Sequence, residues 1–315
     1  MDPKYNFGIL STSSISKRFV LALKESGVGI PLALCSRTKE KASQKAKEWG
    51  IERAYGDYQS LINDPDIDVV YVSTVNSEHY HWAKAAILKG KHVLCEKPCT
   101  VSTEQTRELF ELAEENGVLL MEAQKMLFLP VWEKVKQIVG SGALGKARSV
   151  NMSHSFPVSY NNWMLDKSLG GGPLLSSGIY AIELILWLFG DVERLCPVLY
   201  YGDGEVERAY HVSGITKSGV LFTFENSTLV QLPNEAEIFF EKGSIKVKNY
   251  WKARSFVVKT EKGEESFTFD CEHELIYEIL HFIDCLENGL CESPVMTKKL
   301  SLNGIGVIEK IKSSL

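Results

Sequence analysis

The chain has 315 residues, 44% of them hydrophobic and 24% charged, with a net charge of −5. That composition excludes a disordered or bilayer-embedded chain, and the acidic balance argues against a nucleic-acid partner, whose phosphates are met by a basic surplus. A single core rarely grows past about 250 to 300 residues, so two domains are expected.

Met1 to Leu10 shows no basic stretch followed by a long apolar run, so no signal peptide is expected. The longest apolar segment, Ile179 to Phe189, is interrupted by Glu183 and is too short to span a bilayer. Seven cysteines without metal-type pairing fit reduced thiols. The expectation is a cytoplasmic protein with no metal and no membrane partner.

From Asn6 to Ala123, short β-rich apolar runs alternate with amphipathic helical stretches, the signature of βαβ units around a buried parallel sheet. Strands are expected at Phe7 to Leu10, Ile30 to Cys35, Val69 to Val72, His92 to Cys95 and Val118 to Met121. Helices fall around Ile15 to Glu25, Lys39 to Trp49, Ser77 to Lys89 and Ser102 to Asn116. Ser102, with Glu104 and Gln105, marks a helix start, and Asn116-Gly117 a helix end. After Pro130 the pattern changes: a helix at Val131 to Val139, a strand at Lys146 to Phe156, and a helix apolar nearly all round at Leu174 to Phe189, opened by Pro173 and closed by Gly190. Leu195 to Phe269 alternates Val, Phe, Tyr and Thr, with turns at Lys217-Ser218-Gly219 and Glu241-Lys242-Gly243, and reads as an antiparallel sheet. Helices return at His273 to Glu287 and Leu300 to Ile311. The expected fold class is α/β, with a doubly wound parallel-sheet domain at 1–123 and an α+β domain with an open-faced, mostly antiparallel sheet at 124–315. An open face with apolar residues in water further predicts a homodimer.

Four strand ends carry chemistry. The first turn, Ser11-Thr12-Ser13-Ser14-Ile15-Ser16, has serines at the three positions where a dinucleotide turn usually has glycines; small hydroxyl residues still permit close backbone approach to a pyrophosphate. The same residues also fit a plain capped helix start. At the second strand end, Ser36, Arg37 and Thr38 replace the acidic residue that receives the ribose hydroxyls of NAD, and offer a planar cation to a 2′-phosphate. NADP is therefore expected, with NAD the alternative; an arginine on a solvated helix start is the plainer reading. Ser73, Thr74, Asn76 and His79 follow the strand ending at Val72, and Glu96-Lys97-Pro98 ends the next, all on the edge where doubly wound sheets bind ligands. His79 and His81 lack further ligands at metal spacing.

The run Val93-Leu94-Cys95-Glu96-Lys97-Pro98, the Thr74, Asn76, His79 stretch and Gly170-Gly171-Gly172-Pro173-Leu174-Leu175 together resemble the Gfo/Idh/MocA oxidoreductases. Gly178-Ile179-Tyr180 and Leu120-Met121-Glu122-Ala123 resemble the branch holding dihydrodiol dehydrogenase and NADP-dependent xylose dehydrogenase. The resemblance covers nearly the whole chain. It implies that Lys97 contacts substrate oxygen and the nicotinamide ribose, that Tyr180 is the general acid-base, and that Gln124 approaches the nicotinamide. A phenol ordinarily titrates near pH 10, and a neighbouring ammonium would favour its phenolate. Ser176, four residues before Tyr180, would share its helix face.

Phe156 and Trp163 are candidates to wall the substrate pocket, or core aromatics. Ser176 stands where the family commonly has an aspartate, and Leu127 where the dihydrodiol branch has an arginine. The implied activity is hydride transfer between NADP(H) and a secondary alcohol or hemiacetal carbon of a small sugar, polyol or cyclic diol. The alternative, motivated by the serine turn and Ser176, is a non-catalytic NADP(H) sensor or regulator.

Overall fold

A computed structural model describes residues 5–158, 162–270 and 273–314. The chain forms two compact units: residues 1–125 with 273–301, and residues 126–272 with 302–315. The sequence division gave everything after residue 123 to a second domain. The structure instead returns 273–301 to the first unit, because the apolar stripe of the helix Ile276–Glu287 (α8) packs on the first helix, Ser14–Ser26 (α1).

The first unit is a six-stranded parallel sheet. Its strands are Tyr5–Leu10 (β1), Gly29–Cys35 (β2), Arg53–Tyr55 (β3), Val69–Val72 (β4), His92–Glu96 (β5) and Leu120–Ala123 (β6), in the order β3-β2-β1-β4-β5-β6. That order reverses direction between β1 and β4, the switch point where dinucleotides bind in doubly wound sheets. Strands β1 and β4 are almost wholly apolar because helices cover both faces. The helices start where side chains can cap them. Ser13 accepts from Ser16 N–H ahead of α1, Thr38 from Lys41 N–H ahead of Lys39–Trp49 (α2), and Ser102 from Gln105 N–H ahead of Thr103–Glu115 (α5). The edge strand β3 and the short helix Tyr58–Ile62 (α3) were not expected from sequence. Their ties are polar: Arg53 and Tyr55 both bond the buried carboxylate of Asp64, at 2.9 and 2.8 Å. The helix His79–Ile87 (α4) follows β4.

The second unit holds the helix Pro130–Ser141 (α6), the helix Ile179–Phe189 (α7) and an eight-stranded sheet. Its strands are Ala147–Ser155 (β7), Val192–Tyr200 (β8), Ala209–Thr216 (β9), Leu221–Ser227 (β10), Glu235–Phe240 (β11), Gly243–Lys248 (β12), Ser255–Thr260 (β13) and Gly263–Thr268 (β14), ordered β14-β13-β12-β11-β7-β10-β9-β8. All neighbours are antiparallel except β7 and β10, which run parallel from Leu221↔Ser149 to Ser227↔Ser155. One face buries Val150, Met152, Val212, Phe222, Phe224, Ile238 and Val247. The other mixes exposed Val198, Tyr200, Leu221 and Phe239 with polar residues such as Asn151, Thr223 and Glu225.

The stretch expected as one helix from Leu174 is a π-type turn at Leu174–Gly178 running into α7. Ser176 and Ser177 hydroxyls donate to the carbonyls of Gly172 and Pro173, four residues back, at 2.9 and 2.8 Å, and such back-bonding loosens the regular ladder. The segment Lys167–Phe189 is long and apolar enough by composition to cross a membrane, but 89% of its most apolar window is buried within the fold.

Candidate active site

In the first unit the strand ends gather most of the residues singled out from sequence. Ser11 leaves β1 with φ +121°, a region that side chains rarely adopt. It is held there by its N–H, which donates to Cys35 O at 3.1 Å, and by its Oγ, which accepts Ser13 N–H at 3.1 Å. This serine therefore takes the backbone shape of the glycine it stands in for. Ser13, Ser16 and Ser73 form a hydroxyl chain, Ser13 Oγ to Ser16 Oγ at 2.7 Å and Ser16 Oγ to Ser73 Oγ at 2.9 Å, and Ser73 Oγ donates to Leu10 O at 3.1 Å. The chain stitches β1 to β4, so the buried Ser73 acts inside the fold. Thr12, Ser14 and Ile15 lie along the turn and first residues of α1, whose first turn contains no acidic residue, an environment suited to a phosphate.

At the end of β2, Ser36 is buried with its N–H donating to Tyr55 O at 3.2 Å, while Arg37 and Thr38 are exposed. Burial pushes the neighbouring Cys35 thiol up to about 12, which keeps it inert. At the end of β4, Thr74 is half-buried, and Asn76 and His79 are buried. His79 has both ring nitrogens against backbone carbonyls, Nδ1 at 2.8 Å from Pro98 O and Nε2 at 3.3 Å from Thr74 O; burial holds its pKa below the ordinary histidine value.

At the end of β5, Glu96 turns both carboxylate oxygens inward. Oε1 accepts the Tyr71 hydroxyl at 2.6 Å and Oε2 the Lys97 N–H at 3.3 Å. Tyr71 is itself stacked on Phe19, ring centres 3.7 Å apart. Lys97 is half-buried at the strand end, joined to Pro98 by a cis peptide bond. Beyond β6, Gln124 and Lys125 are buried.

Three buried carboxyls lay outside the sequence reading of the site. Glu122, 1% exposed at the end of β6, accepts Cys99 N–H at 3.0 Å, and burial raises its pKa to about 6. Among the described residues Glu278 on α8 has no hydrogen-bond partner on either oxygen; burial, with the charge of Glu96 adding to it, pushes its pKa far up and keeps it neutral. In the second unit Glu207 accepts Leu174 N–H at 2.7 Å, at the start of the segment bearing Ser176 and Tyr180. A lone Glu in the apolar Leu-Met-Glu-Ala strand was a legible signal for Glu122. Glu207 had none, being 33 residues from its partner.

The second unit carries the remaining candidates. Tyr180 lies in the first turn of α7 and is buried, as is Ser176 in the π-type turn before it. Equal spacing on a regular helix does not describe this pair, because the wider turn intervenes. Phe156 is half-buried, its ring 5.5 Å from that of His154. Trp163 is 40% exposed, which removes the core reading for it.

Residues 5–124 match the oxidoreductase family Gfo/Idh/MocA, NAD-binding Rossmann fold, and residues 132–246 its C-terminal domain. Among curated proteins the chain is 32% identical to trans-1,2-dihydrobenzene-1,2-diol dehydrogenase of Xenopus laevis, over 92% of each chain. The Bos taurus protein of the same name is 30% identical, over 98% of this chain and 96% of its own. Two solved structures share the fold. KijD10, a 3-ketoreductase from Actinomadura kijaniata in complex with NADP, has TM-score 0.90 at 24% identity, covering 99% of this chain and 97% of its own. Levoglucosan dehydrogenase with NADH and levoglucosan has TM-score 0.88 at 20% identity, covering 99% and 98%. By sequence and by fold, the chain belongs to the Gfo/Idh/MocA family and is a nicotinamide-dependent oxidoreductase acting on CH–OH groups.

Proposed function

We propose that the enzyme uses NADP(H) and oxidises or reduces a secondary alcohol or hemiacetal carbon of a small diol, polyol or sugar. The observation that carries the cofactor choice is the end of β2, where Ser36, exposed Arg37 and the helix-capping Thr38 stand in place of a carboxylate. A guanidinium pairs with a 2′-phosphate through charge-assisted hydrogen bonds, whereas ribose hydroxyls call for an acceptor. The β1–α1 turn suits a pyrophosphate: its backbone is folded as a glycine would fold it, and the first turn of α1 carries no acidic residue. The substrate class is supported by the dihydrodiol dehydrogenases to which the chain is similar.

When bound, the cofactor accepts or gives a hydride at its nicotinamide ring. The protein's own part is to hold the reacting oxygen and manage one proton. Lys97 anchors and polarises that oxygen, and Tyr180 as phenolate takes up its proton during oxidation and, as phenol, returns it during reduction. Ser11 to Ile15, Ser36 to Thr38, Thr74, Asn76 and Gln124 serve the nucleotide. Phe156, Trp163 and Ser176 serve the substrate.

The test is a comparison of NADPH and NADH affinity by fluorescence titration, with turnover of trans-1,2-dihydrobenzene-1,2-diol, D-xylose and levoglucosan. NADPH binds the tighter, and Arg37→Ala weakens NADPH by about 10- to 100-fold, the worth of a charged hydrogen bond, while NADH is little changed. A wild-type preference for NADH overturns the cofactor assignment, and nucleotide binding without turnover of any of the three substrates favours a sensor.

We further propose that the open face of the eight-stranded sheet joins two copies in a cytoplasmic homodimer. From β11 to the edge strand β8 it combines apolar Phe239, Leu221 and Val198 with residues of both charge signs such as Glu225 and Arg194, a surface that can complement itself across a twofold axis. Light scattering at micromolar concentration should give twice the chain mass, and Leu221→Glu should lower it to one. A wild-type monomer rejects the proposal.

A further inference from the structure

We propose that His79 and Glu122 are positioning residues for Lys97, together gripping the single peptide group that follows the Lys97-Pro98 pair. This inference rests on the catalytic reading of Lys97. The carbonyl of the Pro98–Cys99 peptide receives His79 Nδ1 at 2.8 Å, and the N–H of the same peptide donates to Glu122 Oε1 at 3.0 Å. One plane is thus fixed from two elements, α4 on one side and β6 on the other. Carbonyl oxygens only accept, and a neutral imidazole has one N–H. The shorter contact assigns that proton to Nδ1, leaving Nε2 facing Thr74 O at 3.3 Å.

Both residues are 1% exposed, so neither is held by chance solvent contacts. Glu96 adds a third hold, accepting the Lys97 N–H itself. A side chain anchored by its own backbone on both sides reaches a reacting atom with little freedom, and misplacement of about 1 Å costs on the order of 100-fold in rate.

Glu122 gives the brace a pH dependence. Burial raises its carboxyl to about 6, against the favourable influence of Ser301 on Lys298–Ser313 (α9), the Cys99 N–H and Lys97, with His79 beside it neutral; the neighbouring Cys99 thiol is pushed far up and stays neutral. Above about pH 6 the anion grips the N–H strongly and is favoured by the charge of Lys97. Below it the neutral acid grips less well.

Activity is measured on trans-1,2-dihydrobenzene-1,2-diol with NADP+ from pH 5 to 9, and melting temperature over the same range from pH 4. His79→Ala and His79→Gln should lose about tenfold or more in kcat with less change in KM, and His79→Asn, whose amide nitrogen reaches the Nδ1 position, should recover most of that loss. Glu122→Gln keeps the acceptor without the charge, so the acid limb of kcat near pH 6 should flatten. A carboxyl with a raised folded pKa stabilises fully below its unfolded value, 4.5, and loses that contribution as pH rises through about 6. The melting temperature of Glu122→Gln should therefore climb relative to wild type between those pH values and then level, whether or not the diol is turned over. A flat difference, an unchanged acid limb, or equal activity of the Ala, Gln and Asn variants at position 79 overturns the brace while Lys97→Met is inactive. Normal turnover by Lys97→Met overturns the reading of Lys97 instead.

Discussion

Tyr180→Phe should lower kcat by about 1,000-fold with NADPH affinity within a few-fold of wild type, the range that loss of a positioned proton donor gives. The substitution keeps the buried ring in α7, so the melting temperature should fall by no more than the loss of one hydrogen bond allows. Lys97→Met removes an ammonium while keeping most of the stem, and a loss of about 100- to 1,000-fold is expected from the missing charge at the reacting oxygen. The double variant should fall little further than the worse single one, because groups that act on one proton transfer are not additive. Steady-state kinetics on the diol, with nucleotide affinity measured separately, distinguishes loss of chemistry from loss of binding. Wild-type turnover in both variants would leave the assignment of these two residues without support.

Gly172→Ala should destabilise the second unit by about 3 kcal/mol and abolish most activity. Two costs combine. Gly172 has φ +113°, where an L side chain is strained by about 1 to 3 kcal/mol. An added Cβ would also lie 2.6 Å from Glu207 Oε1, the atom that accepts Leu174 N–H. Glu207 is buried, and a shift that clears the new methyl carries Oε1 away from Leu174 N–H, so the cap on the segment leading to Ser176 and Tyr180 is lost, leaving a buried donor unpaired at about 1 to 3 kcal/mol. A drop of roughly 10 °C in melting temperature follows for a unit of this size. Glu207→Gln, which retains an acceptor oxygen, should melt within a few degrees of wild type. If Gly172→Ala melts normally, the carboxylate is not the constraint on this turn. The preceding Gly171 is fixed for a different reason: its Cβ would meet the carbonyl oxygens of Asp166 and Met164 at 2.6 and 2.7 Å.

Buried carboxyls explain why the site was only partly legible. Lys97, Tyr180, Arg37 and the serine turn are marked by their neighbours in the chain, because each belongs to a strand end or helix start whose pattern is local. His79 was visible too, yet its role was not: sequence set it at the cofactor edge, and the structure turns both its nitrogens onto backbone carbonyls. Glu207, Glu278 and the hydroxyl chain through Ser73 join residues 33 to 182 positions apart or depend wholly on burial, and spacing along the chain says nothing about such pairs.

The sequence by itself determined the alternation of strands and helices from Asn6 to Ala123 apart from β3 and α3, the cap at Ser102, the turns at Lys217-Ser218-Gly219 and Glu241-Lys242-Gly243, and the family, since each is written in periodicity or in a short run of residue types. The tertiary structure alone decided the edge strand β3, the parallel pairing of β7 with β10, the π-type turn before α7, the return of His273–Ser301 to the first unit and the double hold on the Pro98–Cys99 peptide. These depend on which distant groups are available to satisfy a hydrogen bond or cover an apolar stripe, and that choice is made only when the chain is packed.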